Sequence, residues 1–399
     1  MSAPGPLRIL MVTRETASER LYGLGKSLAP VVAALGERGH VVRYLSQEDL
    51  GPRSRQLREA WLRRRASIWQ RWPAAGALGD WVWALLERIN MGRLAARVAV
   101  RDAYAIVHCH DPFIGLGFWL FRRLSAARRA RWGISQHGFG SYAQALHEDG
   151  LAMSRLGVRW MRGLEASMLQ AADWVMAPTS LALRALARDL ALPRLPGHWH
   201  VVCHPKPGLR CHLRAHARRA LAWDDDVFYV LGVGRVVPLK QFDVLVRACA
   251  SLNDPKRLKL VILGEGDRGA LQELGRTLGL AHPIEFAVTD DVGLYLAAAD
   301  AYVSTSATES FGMANLEALC AGLPSICSPV GGVPEVVGAG AWLVPPTVDA
   351  VKMALQRLRE DRVLRDSWSR AALLHASAWP DASTVADQYE SVYRQVLAG

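Results

Sequence analysis

Cysteine is scarce, with six in 399 residues and none in a tight pairing pattern. That excludes a disulfide scaffold and fits a reducing compartment. No apolar run reaches the roughly 20 residues of a membrane-spanning helix. The opening MSAPGPLRILMVTRE has no basic stretch leading into a long apolar one, so it reads as a first strand and not as a signal peptide. Internal repeats and low-complexity tracts are missing as well. The expectation is a cytoplasmic chain. With 51% hydrophobic and 21% charged residues it has material for two ordinary cores, hence two domains.

Charge is present in excess and unevenly. The formal net charge is +11; up to Pro193 there are 27 Lys and Arg against 15 Asp and Glu, and beyond it 21 against 22. The basic half is therefore expected to face something anionic, such as nucleic acid or an acidic lipid surface. A nucleic-acid role needs a helix-turn-helix or an aromatic and basic sheet face, and neither is found, so no nucleic-acid partner is expected.

Strand-length apolar runs at Leu7–Val12, Val41–Leu45, Ala105–His108, Trp132–Ser135 and Trp174–Ala177 alternate with helical patterns. A second series follows at Val227–Leu231, Leu258–Leu263, Ile284–Ala287, Ala301–Ser304 and Pro324–Cys327. This alternation predicts an α/β protein with two parallel sheets. Between the series, LPRLPGHWHVVCHPKP reads as an interdomain connection because four prolines interrupt the pattern. The expected domains are 1–195, 196–380 and a closing helix, 381–399, with a ligand cleft where strand ends face each other.

Three loops of the second half carry chemistry. Arg235 follows the strand FYVLGVG, and Lys240 comes five residues later; two fixed cations at a strand end suit a diphosphate, although they also read as a solvated basic pair. LGEGDRGAL places Gly264, Gly266 and Gly269 in a dinucleotide spacing. It follows the second strand of its domain and not the first, so close backbone approach to a ligand is the simpler reading. In ESFGMANLEALCAGLP, Glu309 lies in a polar loop after a strand. Glu317 shares a helix face with Met313 and Cys320, so its carboxylate is expected to turn inward and to need hydroxyl partners.

Glu309 and Glu317 with SFG between them, then GGVPE, resemble the E-x7-E signature of retaining glycosyltransferases of the GT-B fold, family 4. The order GR…K, GEG…R, E-x7-E and GG-x-PE is similar to that family's. So are YGLGKSLAPVVAALGERGHVV, its glycine loop and helix, and SQHGFGSY, its histidine loop. The resemblance implies two Rossmann-like domains. It also implies hexosyl transfer from a UDP- or GDP-linked nucleotide sugar to a glycan or lipid-linked acceptor, in bacterial cell-surface polysaccharide or glycolipid synthesis, with no cofactor and no essential metal. It assigns Arg235 and Lys240 to the donor diphosphate, Glu317 to the ribose, Glu309 with the amides of Phe311, Gly312 and Met313 to the transferred sugar, and Gly23 and Gly266 to donor space. His137 would face the sugar near the reacting carbon, making His137 and Glu309 the catalytic pair. Apart from the resemblance, His108 and His110 in IVHCHDP read either as lining the acceptor side or as satisfying a strand end. A nucleotide-sugar epimerase of the same fold, or a non-catalytic homologue, is the alternative. Gln241 departs from the family's pattern, standing where glycine is common after the lysine, and CHPKPG replaces an Asn-Gly turn.

Two segments lie outside those motifs. His198, His200, Cys203, His204, Cys211, His212 and His216 form a dense group, read as a histidine-rich linker in the absence of a CxxC-type pair. In SRQLREAWLRRRASIWQRW (54–72), Leu57, Trp61, Leu62, Ile68, Trp69 and Trp72 recur at helical spacing, while Arg55, Arg58, Arg63, Arg64, Arg65 and Arg71 occupy most of the remainder. That pattern reads as an interfacial helix on an anionic membrane, and hence peripheral attachment to its inner face, or else as an ordinary amphipathic helix packed on the first domain.

Overall fold

A computed structural model describes residues 5–15, 23–123, 126–144, 154–252 and 257–399. Two compact units result. Met1–Pro205 with Asp381–Gly399 form the first, and Lys206–Pro380 the second.

The first unit holds a parallel sheet of order β2-β1-β3-β4-β5-β6. Its strands are β1 (Arg8–Val12), β2 (Val41–Leu45), β3 (Ile106–Cys109), β4 (Arg131–Ser135), β5 (Trp174–Ala177) and β6 (Trp199–Val201). Continuous apolar runs rather than alternating ones produce these inner strands, because helices cover both faces of a parallel sheet. Every residue of β3 and β5 is buried. On one face Leu10, Val12 and Val107 pack with Phe113, Met168 and Leu186. On the other, Ile9, Met11 and Trp174 meet Leu28 and Leu35 of the helix Gly23–Glu37 and Tyr389 and Tyr393 of the last helix, Ala382–Ala398.

The connection expected at 192–207, with a boundary at 195/196, is corrected by β6. Trp199–Val201 pairs with Val175–Ala177 as a sixth strand, so the first unit runs on to Pro205. Trp199 is anchored in the core while Val201 stays half exposed, the mixed burial of an edge strand.

The second unit repeats the plan with the order β12-β11-β10-β7-β8-β9. It comprises β7 (Phe228–Val233), β8 (Leu258–Leu263), β9 (Glu285–Ala287), β10 (Ala301–Ser304), β11 (Ser325–Cys327) and β12 (Trp342–Leu343). The order reverses between β7 and β10, the point at which open parallel sheets place their ligand-binding loops.

The helix Pro52–Arg71 forms as its spacing predicted, but it has no single lipid-facing stripe. Trp61 turns onto the next helix, Pro73–Arg101, where its Nε1 donates to Asp80 at 3.1 Å and its ring stacks with Trp83. Arg65 pairs with Asp80 at 2.8 Å, and Arg58 with Glu87 at 3.7 Å. Burying an indole against a partner helix removes more apolar surface from water than leaving it on a stripe, and the two acids neutralise the arginines beside it. Leu57, Leu62 and Trp72 remain outward, at 61%, 52% and 66% exposure, with Arg63, Arg64 and Arg71 also exposed. The side chains of Arg55 and Trp69 lie outside the described ones.

Candidate functional site

At the reversal point of the second sheet, the loop after β7 meets the loop after β10. The Thr305 hydroxyl is within donating distance of two carbonyls, Lys240 O at 3.0 Å and Gln241 O at 2.9 Å, and Ala307 N–H donates to Leu239 O at 2.8 Å. These bonds bring Lys240 to Glu309, and the ammonium pairs with Oε1 of the carboxylate. Ser306 Oγ approaches the same oxygen at 3.4 Å. Both members of the pair are mostly buried, where attraction is screened less than in open water.

Glu309 is set from behind by the glycine pair of VGGVPE. Gly332 N–H donates to Glu309 O at 2.8 Å, and Gly331 adopts φ +56. A Cβ on Gly331 would stand 1.8 Å from that carbonyl oxygen, so no other residue fits. Gly264 is constrained in the same way, its absent Cβ lying 2.0 Å from Gly234 O, while Val236 N–H donates to Glu265 O at 2.7 Å. The glycines of LGEGD therefore seat the β8 loop on the β7 loop, backbone against backbone. Arg235 and Gly266 lie exposed on these two loops.

The helix Met313–Cys320 starts from Gly312, at φ +83, immediately after the Glu309 loop. Phe311 is buried against Trp379, and Tyr302 hydroxyl donates to Asn315 Oδ1 at 2.8 Å beneath the first turn. Glu317 is turned inward and is only 6% exposed. Arg235, Lys240, Gly266, Glu309, Phe311, Gly312, Met313 and Glu317 thus belong to one end of one sheet.

Gly23, His108, His110 and His137 belong to the first unit. Gly23 opens its helix, and the preceding loop residues 16–22 lie outside the described ones. Two residues on, Gly25 N–H donates to Glu15 Oε1 at 2.7 Å, and Tyr44 hydroxyl donates to Oε2 at 2.7 Å. His108 cannot line an acceptor surface. It is fully buried, with Nδ1 at 2.7 Å from Tyr393 hydroxyl and Nε2 at 2.8 Å from Ser135 Oγ. Its place in the middle of β3 turns it toward the last helix.

Four imidazoles nevertheless form a continuous group. The His108 ring lies 4.2 Å from that of His110, His110 lies 5.4 Å from His137, and His137 lies 5.4 Å from His204, each pair within 25° of parallel. His110 Nδ1 and His137 Nε2 share a hydrogen bond of 3.1 Å. Burial holds all four neutral: His108 is lowered to about 3 and His204 to about 4, and His110 and His137 fall well below the usual value, with neighbouring imidazoles adding to the effect. His204, read from the sequence as part of a linker cluster, belongs to this group. His212 instead pairs with Asp291 at 3.0 Å in the second unit. Among the described residues no group of three or more His, Cys, Asp or Glu is arranged to hold a metal ion.

The loop carrying His137 is fastened by two carboxylates that sequence reasoning missed. Glu165, 2% exposed, accepts from Tyr142 N–H at 3.0 and 3.2 Å, and Asp189 accepts from Ser141 N–H at 3.0 Å. Burial pushes the Glu165 carboxyl up to about 8, with Asp189 and Asp111 adding to the rise. Its sequence signal is only an acid at an inward position of the helix Arg155–Ala171.

Two parallel α/β sheets, with chemistry-bearing loops gathered where the strand order reverses, define the GT-B class of glycosyltransferase fold. The sucrose-phosphate synthase of Thermosynechococcus elongatus has the same fold, at TM-score 0.74 and 20% identity over 98% of this chain and 99% of that one. Anabaena HepE in complex with UDP-glucose matches at 0.68, with 17% identity over 98% and 99%. In sequence, the profile of the family described as Glycosyl transferases group 1 matches residues 214–375. A D-inositol 3-phosphate glycosyltransferase of Nocardioides is 31% identical over 324 residues, 74% of this chain and 68% of its own length. An uncharacterized glycosyltransferase of Methanocaldococcus jannaschii is 33% identical over 156 residues, 37% of this chain and 40% of its own. The chain belongs to the group 1 glycosyltransferases.

Proposed function

We propose that the chain transfers a hexosyl group from a nucleotide sugar to a glycan or lipid-linked acceptor, with retention at the anomeric carbon. The observation that carries this reading is the Lys240–Glu309 pair held at the reversal point of the second sheet, with the buried carboxylate of Glu317 on the adjoining helix. Support for the donor class comes from HepE, whose structures include UDP and UDP-glucose.

In this reading Arg235 and Lys240 take the donor diphosphate. As the bond between the anomeric carbon and the phosphate oxygen breaks, charge accumulates on the departing diphosphate, and fixed cations stabilise that charge more than the ground state. The acceptor hydroxyl forms the new bond to the anomeric carbon, and its proton leaves with the departing phosphate oxygen. Glu309 and the amides of Phe311, Gly312 and Met313 orient the sugar, and Glu317 accepts from ribose hydroxyls. No side-chain nucleophile is assigned, and the two glutamates are not an acid and base pair of the glycosidase kind. His137 keeps the catalytic role that the family resemblance implies.

The basic surface of the first unit supports an anionic membrane as partner. Arg63, Arg64, Arg71, Leu57, Leu62 and Trp72 are among the outward residues of the helix Pro52–Arg71 and its C-terminal end. At about 1 kcal/mol per basic residue near such a surface, several contacts give reversible, salt-sensitive attachment. No helix of the described residues is long and apolar enough to cross a membrane.

The test is a titration with UDP, GDP and ADP and their glucose derivatives, followed by NMR of the product linkage. Binding of one nucleotide series and a product with the donor's anomeric configuration are expected. An inverted linkage would refute retention, and no binding to any member would remove the donor assignment.

A further inference from the structure

Gln241 bears two structural costs. Its backbone lies at φ +45, ψ +42, the left-handed region that glycine enters freely and a side chain with a Cβ does not. Such a residue is strained and persists where surrounding structure or function requires it. Its side-chain Oε1 is also buried without a hydrogen-bond partner among the described residues. An orphaned buried acceptor is destabilising and calls for an explanation.

The fold sets the left-handed turn at this corner but has no need of a glutamine side chain there. The backbone needs of this corner are met without the side chain: Gln241 N–H donates to Pro238 O at 3.0 Å, and Gln241 O accepts from Val244 N–H at 3.0 Å and Thr305 hydroxyl at 2.9 Å. The amide does not cap the helix Phe242–Ala250 that follows. Glycine would keep every one of these bonds and remove both penalties. Gln241 directly follows Lys240, and the Thr305 hydroxyl ties both residues to the loop that presents Glu309.

We propose that Gln241 is a specificity-determining residue of the donor site, its amide oxygen accepting a hydrogen bond from a hydroxyl of the transferred sugar. The proposal rests on the donor reading of Lys240 and Glu309. The chemistry selects a hydroxyl over a phosphate: a phosphate oxygen is only an acceptor and leaves Oε1 unpaired, whereas a sugar hydroxyl donates to it. The ribose hydroxyls of the nucleotide are already assigned to Glu317, so the hydroxyl left for Gln241 is the sugar's.

The experiment compares the wild type with Gln241→Gly and Gln241→Met by calorimetric titration with UDP, GDP and ADP and with the matching glucose nucleotides, alongside thermal unfolding. Gln241→Met keeps length and strain but lacks the amide; Gln241→Gly releases the strain. The expected result is unchanged nucleotide affinity in both variants, about tenfold weaker sugar-nucleotide affinity relative to nucleotide, and a melting temperature for Gln241→Gly at or above the wild type. Equal sugar-to-nucleotide affinity ratios in all three proteins would overturn the proposal while leaving the donor reading intact. Loss of nucleotide binding itself in Gln241→Met would also overturn it, by showing a diphosphate contact. Lys240→Ala separates the two levels: if it binds nucleotide as well as the wild type, the donor reading fails and this inference fails with it.

Discussion

Replacing Glu165 with glutamine should reshape the pH dependence of stability by an amount the structure allows to be worked out. In the folded protein the Glu165 carboxyl is raised from 4.5 to about 8, chiefly by burial. In the unfolded chain it returns to about 4.3. Between these values the native state holds a proton that the unfolded state has released, so stability present below the unfolded value is lost as pH rises toward the folded one. The slope approaches 1.36 kcal/mol per pH unit for one group. Between pH 5 and pH 7 the wild type therefore loses about 2.5 kcal/mol through this residue. In the Glu165→Gln variant the side chain has no charge to acquire, and its amide oxygen still accepts from Tyr142 N–H. The buried histidines act in the opposite direction over the same range, but they are present in both proteins and cancel in the difference. Urea unfolding followed by tryptophan fluorescence at pH 5, 6 and 7 gives that difference directly. The Glu165→Gln advantage should grow with pH, by about 2.5 kcal/mol over the interval. Parallel stability curves would show that Glu165 is ionised in the folded state and that the reasoning is wrong.

Other outcomes follow from the same geometry. The four neutral imidazoles predict acid lability: with folded values of about 3 for His108 and about 4 for His204, stability present above the unfolded value of about 6.5 is lost as pH falls toward the folded values. His204→Phe should flatten part of the decline seen in a melting series from pH 7 to pH 5, and an unchanged decline would place that imidazole in water. Lys240→Ala should reduce turnover roughly a hundredfold or more in a sugar-transfer assay, a larger effect than the drop in melting temperature from leaving Glu309 without its cation; a parent rate would exclude it from the site. Glu309→Gln removes an anion beside the proposed diphosphate, so nucleotide affinity measured by titration should rise several-fold while transfer slows, and weaker nucleotide binding would contradict that electrostatic argument. In flotation with vesicles containing anionic lipid, the parent should float at low salt and sink at high salt, and the triple change of Arg63, Arg64 and Arg65 to Glu should abolish flotation; a parent that stays soluble at low salt removes the membrane partner.

What the sequence by itself determined was whatever repeats locally. Apolar runs such as Leu258–Leu263 become buried parallel strands wherever helices cover both faces, and the inward turn of Glu317 follows from helical spacing alone. The two-sheet α/β architecture and the loops bearing Lys240 and Glu309 were legible for that reason. Two edges were not: β6 lies inside the proline-interrupted stretch and β12 has only two residues, and they form because a neighbouring strand offers free backbone groups. Nor could helical spacing reveal that Trp61 turns toward Asp80 and Trp83, because both sides of that helix offer apolar and basic residues and only the partner helix decides between them. The histidine group and the Glu165 clamp join positions dozens of residues apart, and the left-handed turn at Gln241 is imposed by packing on a residue that resists it. Long-range proximity and imposed strain depend on the tertiary structure because no neighbour in sequence carries their cause.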